Sequence, residues 1–232
     1  MYHKVWPGIS DDLTITPEHL AQQWAFLKQQ GYTPLSLQEF SAIIDTNTSF
    51  PEKSLLITFD DGYLNNYDYV YPLLKEMNWK ATFFIIADTL SAPQTNNKTP
   101  DTKMSLEQLK TLDPQIVQLG LHGLHHEHFS SLNIDEIEQV MQQSISLFDS
   151  SGLTYHKVLA YPYGSRPKDT RINNQMKAFF NEAGIQAAFR IGNQVCKVPT
   201  EDKYELRRID IKGTDSLDAF KIKLTKGKLR PF

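Results

Sequence analysis

The chain has a single cysteine, Cys196, among 232 residues, which rules out an intrachain disulfide and leaves no mark of an oxidising compartment. It also lacks any apolar run near the ~20 residues that a membrane span requires. The opening segment MYHKVWPG has no basic stretch leading into an apolar one, so no signal peptide is read there. The default expectation is a cytoplasmic protein, with peripheral attachment at the inner face of a membrane as the alternative. Neither sign of charge dominates: 24 Lys and Arg stand against 27 Asp and Glu. A nucleic-acid partner needs clustered cations to neutralise phosphate, and this balance argues against one. The one basic stretch, residues 221–232 (KIKLTKGKLRPF), reads as a frayed, solvated tail. Internal repeats and low-complexity tracts are absent too.

What is present is an alternation of β-rich apolar runs with helical patterns, the signature of parallel α/β units. Strands are expected at Tyr2–Val5, Leu55–Phe59, Thr82–Ala87, Ile116–Leu121, Val158–Tyr161, Ile185–Arg190 and Leu206–Ile211. Helices are expected at residues 17–30, opened by Thr16 and Pro17 and stopped at Gly31, and at residues 134–149 and 172–183. Their apolar faces are core. Residues 91–103 (SAPQTNNKTPDTK) form the one long polar stretch and read as a surface loop. The fold expected is α/β, a single-domain, incomplete (β/α)7-type barrel of parallel strands covering residues 1–232.

In parallel barrels the working residues lie where strands end and strand-to-helix loops open onto one face. Three polar features fall at such positions. Asp60 and Asp61 end LLITF, His122, His125, His126 and His128 follow Ile116–Leu121, and Tyr161–Pro162–Tyr163–Gly164 ends the next strand. Four histidines within seven residues suit a divalent metal such as zinc. If the turn is helical, His122 with His126 at i and i+4, or His125 with either His122 or His128 at i and i+3, could converge on one ion. One carboxylate and two imidazoles leave coordination positions open, as catalytic metals require. The second carboxylate, beside the ion and not bound to it, could take a proton from water. Taken alone, Asp-Asp-Gly is also an ordinary turn sequence.

In order and spacing, Leu56–Tyr63 (LITFDDGY), Lys80–Phe84 (KATFF), Gly120–His126 (GLHGLHH) and Ala160–Gly164 (AYPYG) resemble the polysaccharide deacetylase (NodB homology) family. The likeness runs from Met1 to about residue 212. The start, MYHKV, and residues 14–40 resemble the circularly permuted branch that deacetylates poly-N-acetylglucosamine. The resemblance implies Asp60 as general base, Asp61, His122 and His126 as metal ligands, and the Tyr163 backbone N–H as oxyanion donor. It leaves His125 and His128 outside the metal shell. Where many members have an arginine that orients the base, this chain has Ala160; Arg208 is then the matching candidate, with Arg207 its competitor. The Leu-x-x-His that supplies the acid in many members is missing, and the permuted branch points to His3 instead. Gly123 and Glu127 also depart from the usual residues, which touches the surroundings of the ligands and not the ligands themselves.

The function implied is a metal-dependent hydrolase, with Zn2+ as the expected ion, removing acetyl groups from N-acetylated amino sugars in a glycan or glycolipid. Without a leader, a smaller or lipid-linked sugar from envelope glycan biosynthesis is the expected substrate. Tyr63, Tyr67, Tyr161 and Tyr163 could stack on sugar rings or pack the barrel. The alternatives are hydrolysis of another amide, such as a cyclic imide, and a glycan-binding module without turnover.

Overall fold

The computed structural model describes residues 1–92, 98–196, 200 and 202–228. Two short parallel pairs come first, β1 (Lys4–Val5) with β2 (Thr14–Ile15) and β3 (Thr33–Pro34) with β4 (Ser54–Leu55). A central sheet follows, built from β5 (Thr58–Phe59), β6 (Ala81–Ile85), β7 (Val117–Leu121), β8 (Val158–Ala160), β9 (Ala187–Ile191) and β10 (Leu206–Arg208). Its six strands lie in chain order and pair in parallel throughout. The sheet curls until both edges meet the same segment. On one side the Tyr2 N–H donates to Thr58 O at 2.8 Å and the Asp60 N–H to Tyr2 O at 3.0 Å. On the other, the Met1 nitrogen donates to Ile209 O at 2.9 Å and the Ile211 N–H to Met1 O at 3.1 Å. The expected barrel is therefore present, with Met1 and Tyr2 acting as the seventh stave.

Two expected strands are each divided. Tyr2 bridges Phe59 while Lys4–Val5 pairs with β2, and Leu55 belongs to β4 while Thr58–Phe59 pairs with β6. Propensity marks both runs as extended but does not say which partner each residue takes.

The helices are α1 (Pro17–Gln29), α2 (Leu37–Thr46), α3 (Tyr71–Met77), α4 (Leu106–Lys110), α5 (Ile134–Ser151), α6 (Thr170–Glu182) and α7 (Leu217–Lys226). Thr16 caps α1 by accepting the His19 N–H, and Asn133 with Glu136 forms a capping box on α5. The shorter α2 and α4 are opened by the boxes Ser36/Glu39 and Ser105/Gln108. The basic stretch from Lys221 is not a frayed tail as far as Lys226, because it forms the last turns of α7. Lys223 is buried there and reaches the Asp215 carboxylate at 2.5 Å. Residues 229–232 lie outside the described residues, as do residues 93–97 of the expected loop.

Strand alternation sorts the core into two layers. Phe84, Val158, Ala160, Ala187, Phe189 and Leu206 face inward and meet Leu37, Phe40 and Ile44 of α2, which plugs one end of the barrel. Phe83, Ile85, Leu119, Leu121 and Leu159 face outward onto the surrounding helices. Phe84 is fully buried with its ring 5.9 Å from that of Phe189. Phe84→Ala is expected to lower the unfolding free energy by about 3–5 kcal/mol, measured by denaturant titration; a loss well below this range would mean that the interior layer collapses around the gap.

Candidate active site

At the mouth opposite the plug, the ends of β5, β7, β8 and β10 meet the closing segment. Strand alternation carries Asp60 into the barrel after Thr58 and leaves Phe59 outside. Alternation on β10 likewise buries Leu206 and Arg208 and exposes Arg207, so Arg208 is the arginine that reaches Asp60. Its Nη1 and Nη2 donate to the two Asp60 oxygens at 2.7 and 2.6 Å, and Nη1 also lies 3.2 Å from Thr58 Oγ1. The guanidinium lies 5.4 Å from the centre of the Phe84 ring and 5.8 Å from that of Phe189. Burial alone would raise the Asp60 pKa, but the charges of Arg208 and His122 and the hydrogen bonds from Arg208 outweigh it, holding the carboxyl below its usual range. Asp60 is thus ionised at neutral pH. The inward position that Ala160 leaves small on β8 lies in the same interior layer.

Asp61 turns the other way because its backbone is left-handed, φ 73°, followed by Gly62 at φ 69°. Its Oδ1 stands 3.1 Å from His122 Nε2 and 3.2 Å from His126 Nε2. The three ligand atoms lie within 4.8 Å of one another. His122 Nδ1 is 2.8 Å from Ala160 O; a carbonyl only accepts, so Nδ1 carries a proton and Nε2 is the ring nitrogen left to ligate. Asp61 Oδ1 is itself buried and has no hydrogen-bond partner among the described residues. A carboxylate oxygen and two imidazole nitrogens facing one point suit a divalent cation, and the donor set fits zinc or a similar first-row ion.

The loop from His122 to His128 is not the helical turn on which the spacing reading depended. Gly123 at φ 77° and His126 at φ 66° reverse the chain instead. Glu127 stabilises this path: its carboxylate accepts the N–H of His125 at 2.9 Å and of Leu124 at 3.2 Å. A Cβ on Gly123 would lie 2.9 Å from Glu127 Oε2 and 3.2 Å from Pro162 Cγ. The two unusual residues are therefore a matched pair, the glycine leaving room for the carboxylate that pins the loop. His125 is exposed and pairs with Asp88 at 2.8 Å, and His128 stacks on Tyr163 with centroids 3.7 Å apart. Neither joins the three-atom cluster.

Tyr163 is a third site residue with left-handed backbone, φ 58°, and such strain costs of order 1–3 kcal/mol. Gly164 and Ser165 donate to Tyr161 O and Pro162 O, whereas the Tyr163 N–H has no acceptor among the described residues. His3 follows the Tyr2 bridge and lies close enough to Asp60, Asp61, Arg208 and His122 to exchange charge effects with them. Burial lowers its pKa, against the opposing pull of the two carboxylates. The tyrosines divide. Tyr161 is buried between Phe129 and Phe180, Tyr67 pairs with Thr111, and Tyr163 is 55% exposed beside the histidines. Tyr63 is buried and close to Asp61. Sequence reasoning missed the Gly123–Glu127 coupling and the Ala160 carbonyl, since neither backbone acceptors nor loop contacts leave a compositional trace.

A family model described as polysaccharide deacetylase matches residues 47–188. The Bacillus subtilis protein YxkH is 27% identical over 195 residues, 84% of this chain and 61% of that protein. A poly-beta-1,6-N-acetyl-D-glucosamine N-deacetylase of Staphylococcus epidermidis is 26% identical over 213 residues, 89% of this chain and 70% of that protein. Among solved structures, the Streptococcus pyogenes deacetylase PplD in complex with acetate superimposes with a TM-score of 0.78 at 21% identity, covering 94% of this chain and 93% of its own. IcaB from Ammonifex degensii gives 0.75 at 23% identity, covering 94% and 91%. These structural likenesses carry the fold.

Three outcomes are expected from the geometry. Gly123→Ala should lower stability by about 1–3 kcal/mol in thermal unfolding and lose less in a Glu127→Ala background, and Glu127→Ala should weaken zinc binding about 10- to 100-fold in calorimetry of the metal-free protein. Additive losses would uncouple the pair. Because the folded Asp60 pKa is lowered, its stabilisation is present above the unfolded value of about 3.9 and drains away as pH falls through the folded one. Acid unfolding curves of Arg208→Met should lack that component.

Proposed function

The chain belongs to the polysaccharide deacetylase family, and from that premise we propose that it is a zinc-dependent hydrolase removing acetyl groups from N-acetylated amino sugars. The observation that carries the reading is the convergence of Asp61, His122 and His126 on one point beside a second, ionised carboxylate held by Arg208. The relatives named for poly-N-acetylglucosamine support N-acetylglucosamine units as the substrate. The chain spans about 61% of the length of YxkH, so the setting in which the reaction occurs belongs to the proposal as well.

The residues divide the work. Asp61, His122 and His126 would hold the ion, which supplies Lewis acidity toward the acetamide carbonyl and acidifies water. Asp60 accepts a proton from the attacking water, and Arg208 keeps that carboxylate ionised and aimed. The Tyr163 N–H, free of any acceptor among the described residues, donates to the oxygen that gains negative charge as the carbonyl carbon becomes tetrahedral. His3 gives a proton to the nitrogen as the C–N bond breaks. One water is consumed, and acetate and an amine leave. His3 must be protonated to do this, and burial holds its pKa below the ordinary imidazole range, so its contribution fades as pH rises through that lowered pKa.

Acetate release from short N-acetylglucosamine oligomers tests the assignment. Asp60→Asn is expected to lower kcat by about 10²- to 10⁴-fold while the protein still binds zinc, and loss of zinc together with activity in a folded variant would place Asp60 among the ligands. His3→Ala is expected to lose a comparable factor and the associated pH limb. A chelator should abolish turnover. No acetate from any acetylated glycan in zinc-loaded protein would remove the deacetylase reading.

A further inference from the structure

Lys103 stands at the mouth of the site with no role in the chemistry above. An antiparallel bridge ties it to Tyr63, flanked by the Leu64 N–H to Thr102 O at 2.7 Å and the Met104 N–H to Gly62 O at 2.9 Å. The segment just before it is thereby fixed to the Asp-Asp-Gly turn and is more than the surface loop expected from its composition. The Lys103 Nζ sits 3.4 Å from the centre of the Tyr63 ring, and Lys4 approaches the same ring at 5.7 Å. The acids whose charges reach Lys103 are Asp61, Asp101 and Asp88. Each has another partner. Asp101 takes Lys4 at 3.1 Å, Asp88 takes His125 at 2.8 Å, and Asp61 faces His122 and His126. Among the described residues Lys103 has no ion-pair partner of its own. A divalent ion held by Asp61 would take up that carboxylate's charge as well and leave Lys103 a cation in surplus.

Deacetylation changes the charge of its substrate: an N-acetyl group is neutral, whereas the amine left behind is protonated at neutral pH. Each turnover on a glycan therefore adds a positive charge beside the next reacting unit. We propose that Lys103 is a specificity-determining residue that favours glycan stretches whose flanking units are still acetylated and repels those already carrying free amines. This rests on the deacetylase reading and adds a rule for where along a glycan the reaction stops. Burial draws the Lys103 pKa down to about 8, with Asp61 and Asp101 pulling it back up, so the side chain is mostly charged at pH 7. The ring of Tyr63 beneath it and the strand-like tether keep that charge in place when the glycan enters.

The test uses zinc-loaded Asp60→Asn protein, so that binding is read without turnover. Calorimetry compares the fully acetylated N-acetylglucosamine pentamer with the same pentamer carrying one free amine next to an acetylated unit. The amine-bearing pentamer is expected to bind roughly three- to tenfold more weakly, with the gap narrowing at high salt. Adding Lys103→Gln should close the gap, and adding Lys103→Arg should keep it, an outcome that a merely structural lysine would not produce. Equal affinities at low salt, a gap that survives Lys103→Gln in folded protein, or no binding of either pentamer would overturn the proposal. Acetate release by the wild-type protein, measured separately, decides the deacetylase reading.

Discussion

A carboxylate and a guanidinium buried inside a barrel, Asp60 and Arg208, join the two edges of the sheet across 148 positions of chain. Isolated, either charge would be costly to bury; paired bidentately, and with the cation over Phe84 and Phe189, each compensates the other. The consequence is functional more than energetic, since such a pair contributes little net stability while fixing the ionised state and direction of one oxygen-bearing group. It requires β5 and β10 to be held near one another, which is what the Met1–Tyr2 segment does by bonding to both. The same segment delivers His3.

Around that pair, strain is concentrated where geometry matters. Among the described residues, non-glycine positive φ occurs at three asparagines, Lys53, Asp61, His126 and Tyr163. Asparagine tolerates that region and usually marks a turn. Asp61, His126 and Tyr163 are there because each must direct a side chain or an amide against the run of its strand-end loop. The Glu127 carboxylate, fitted beside Gly123, holds one of these reversals, and the Ala160 carbonyl fixes the tautomer of His122. A charged mouth results in which Asp60, Asp101 and Asp88 are paired off and Lys103, among the described residues, is not.

Much of this was legible in the residues. The parallel α/β class follows from alternating strand and helix patterns, and Asp60, Asp61 and His122 stood out because they follow strand-like runs. Choosing Arg208 over Arg207 needed the strand's phase, and period-two alternation supplies it only once the strand's boundaries are known. Spacing left three histidine pairings open on the premise of a helical turn; the structure has a reversed loop there instead, and it sets His126, not His125 or His128, beside His122 and Asp61. Composition marks Lys103 only as part of a polar surface loop, because its contacts with Tyr63 come from a different segment of chain.

By itself the sequence determined the parallel α/β class, the main strands of the sheet and the helices α1, α5 and α6, through propensity, caps and periodicity, and where reactive side chains cluster at strand ends. These are local properties, written within a few residues of each position. Only the tertiary structure decided that two expected strands are divided, that the chain's first residues close the sheet, that Arg208 meets Asp60, and that Lys103 has no ion-pair partner among the described residues. Those outcomes depend on which distant segments meet, and the free energy that selects them comes from burial and pairing across the whole barrel, to which no short stretch of sequence has access.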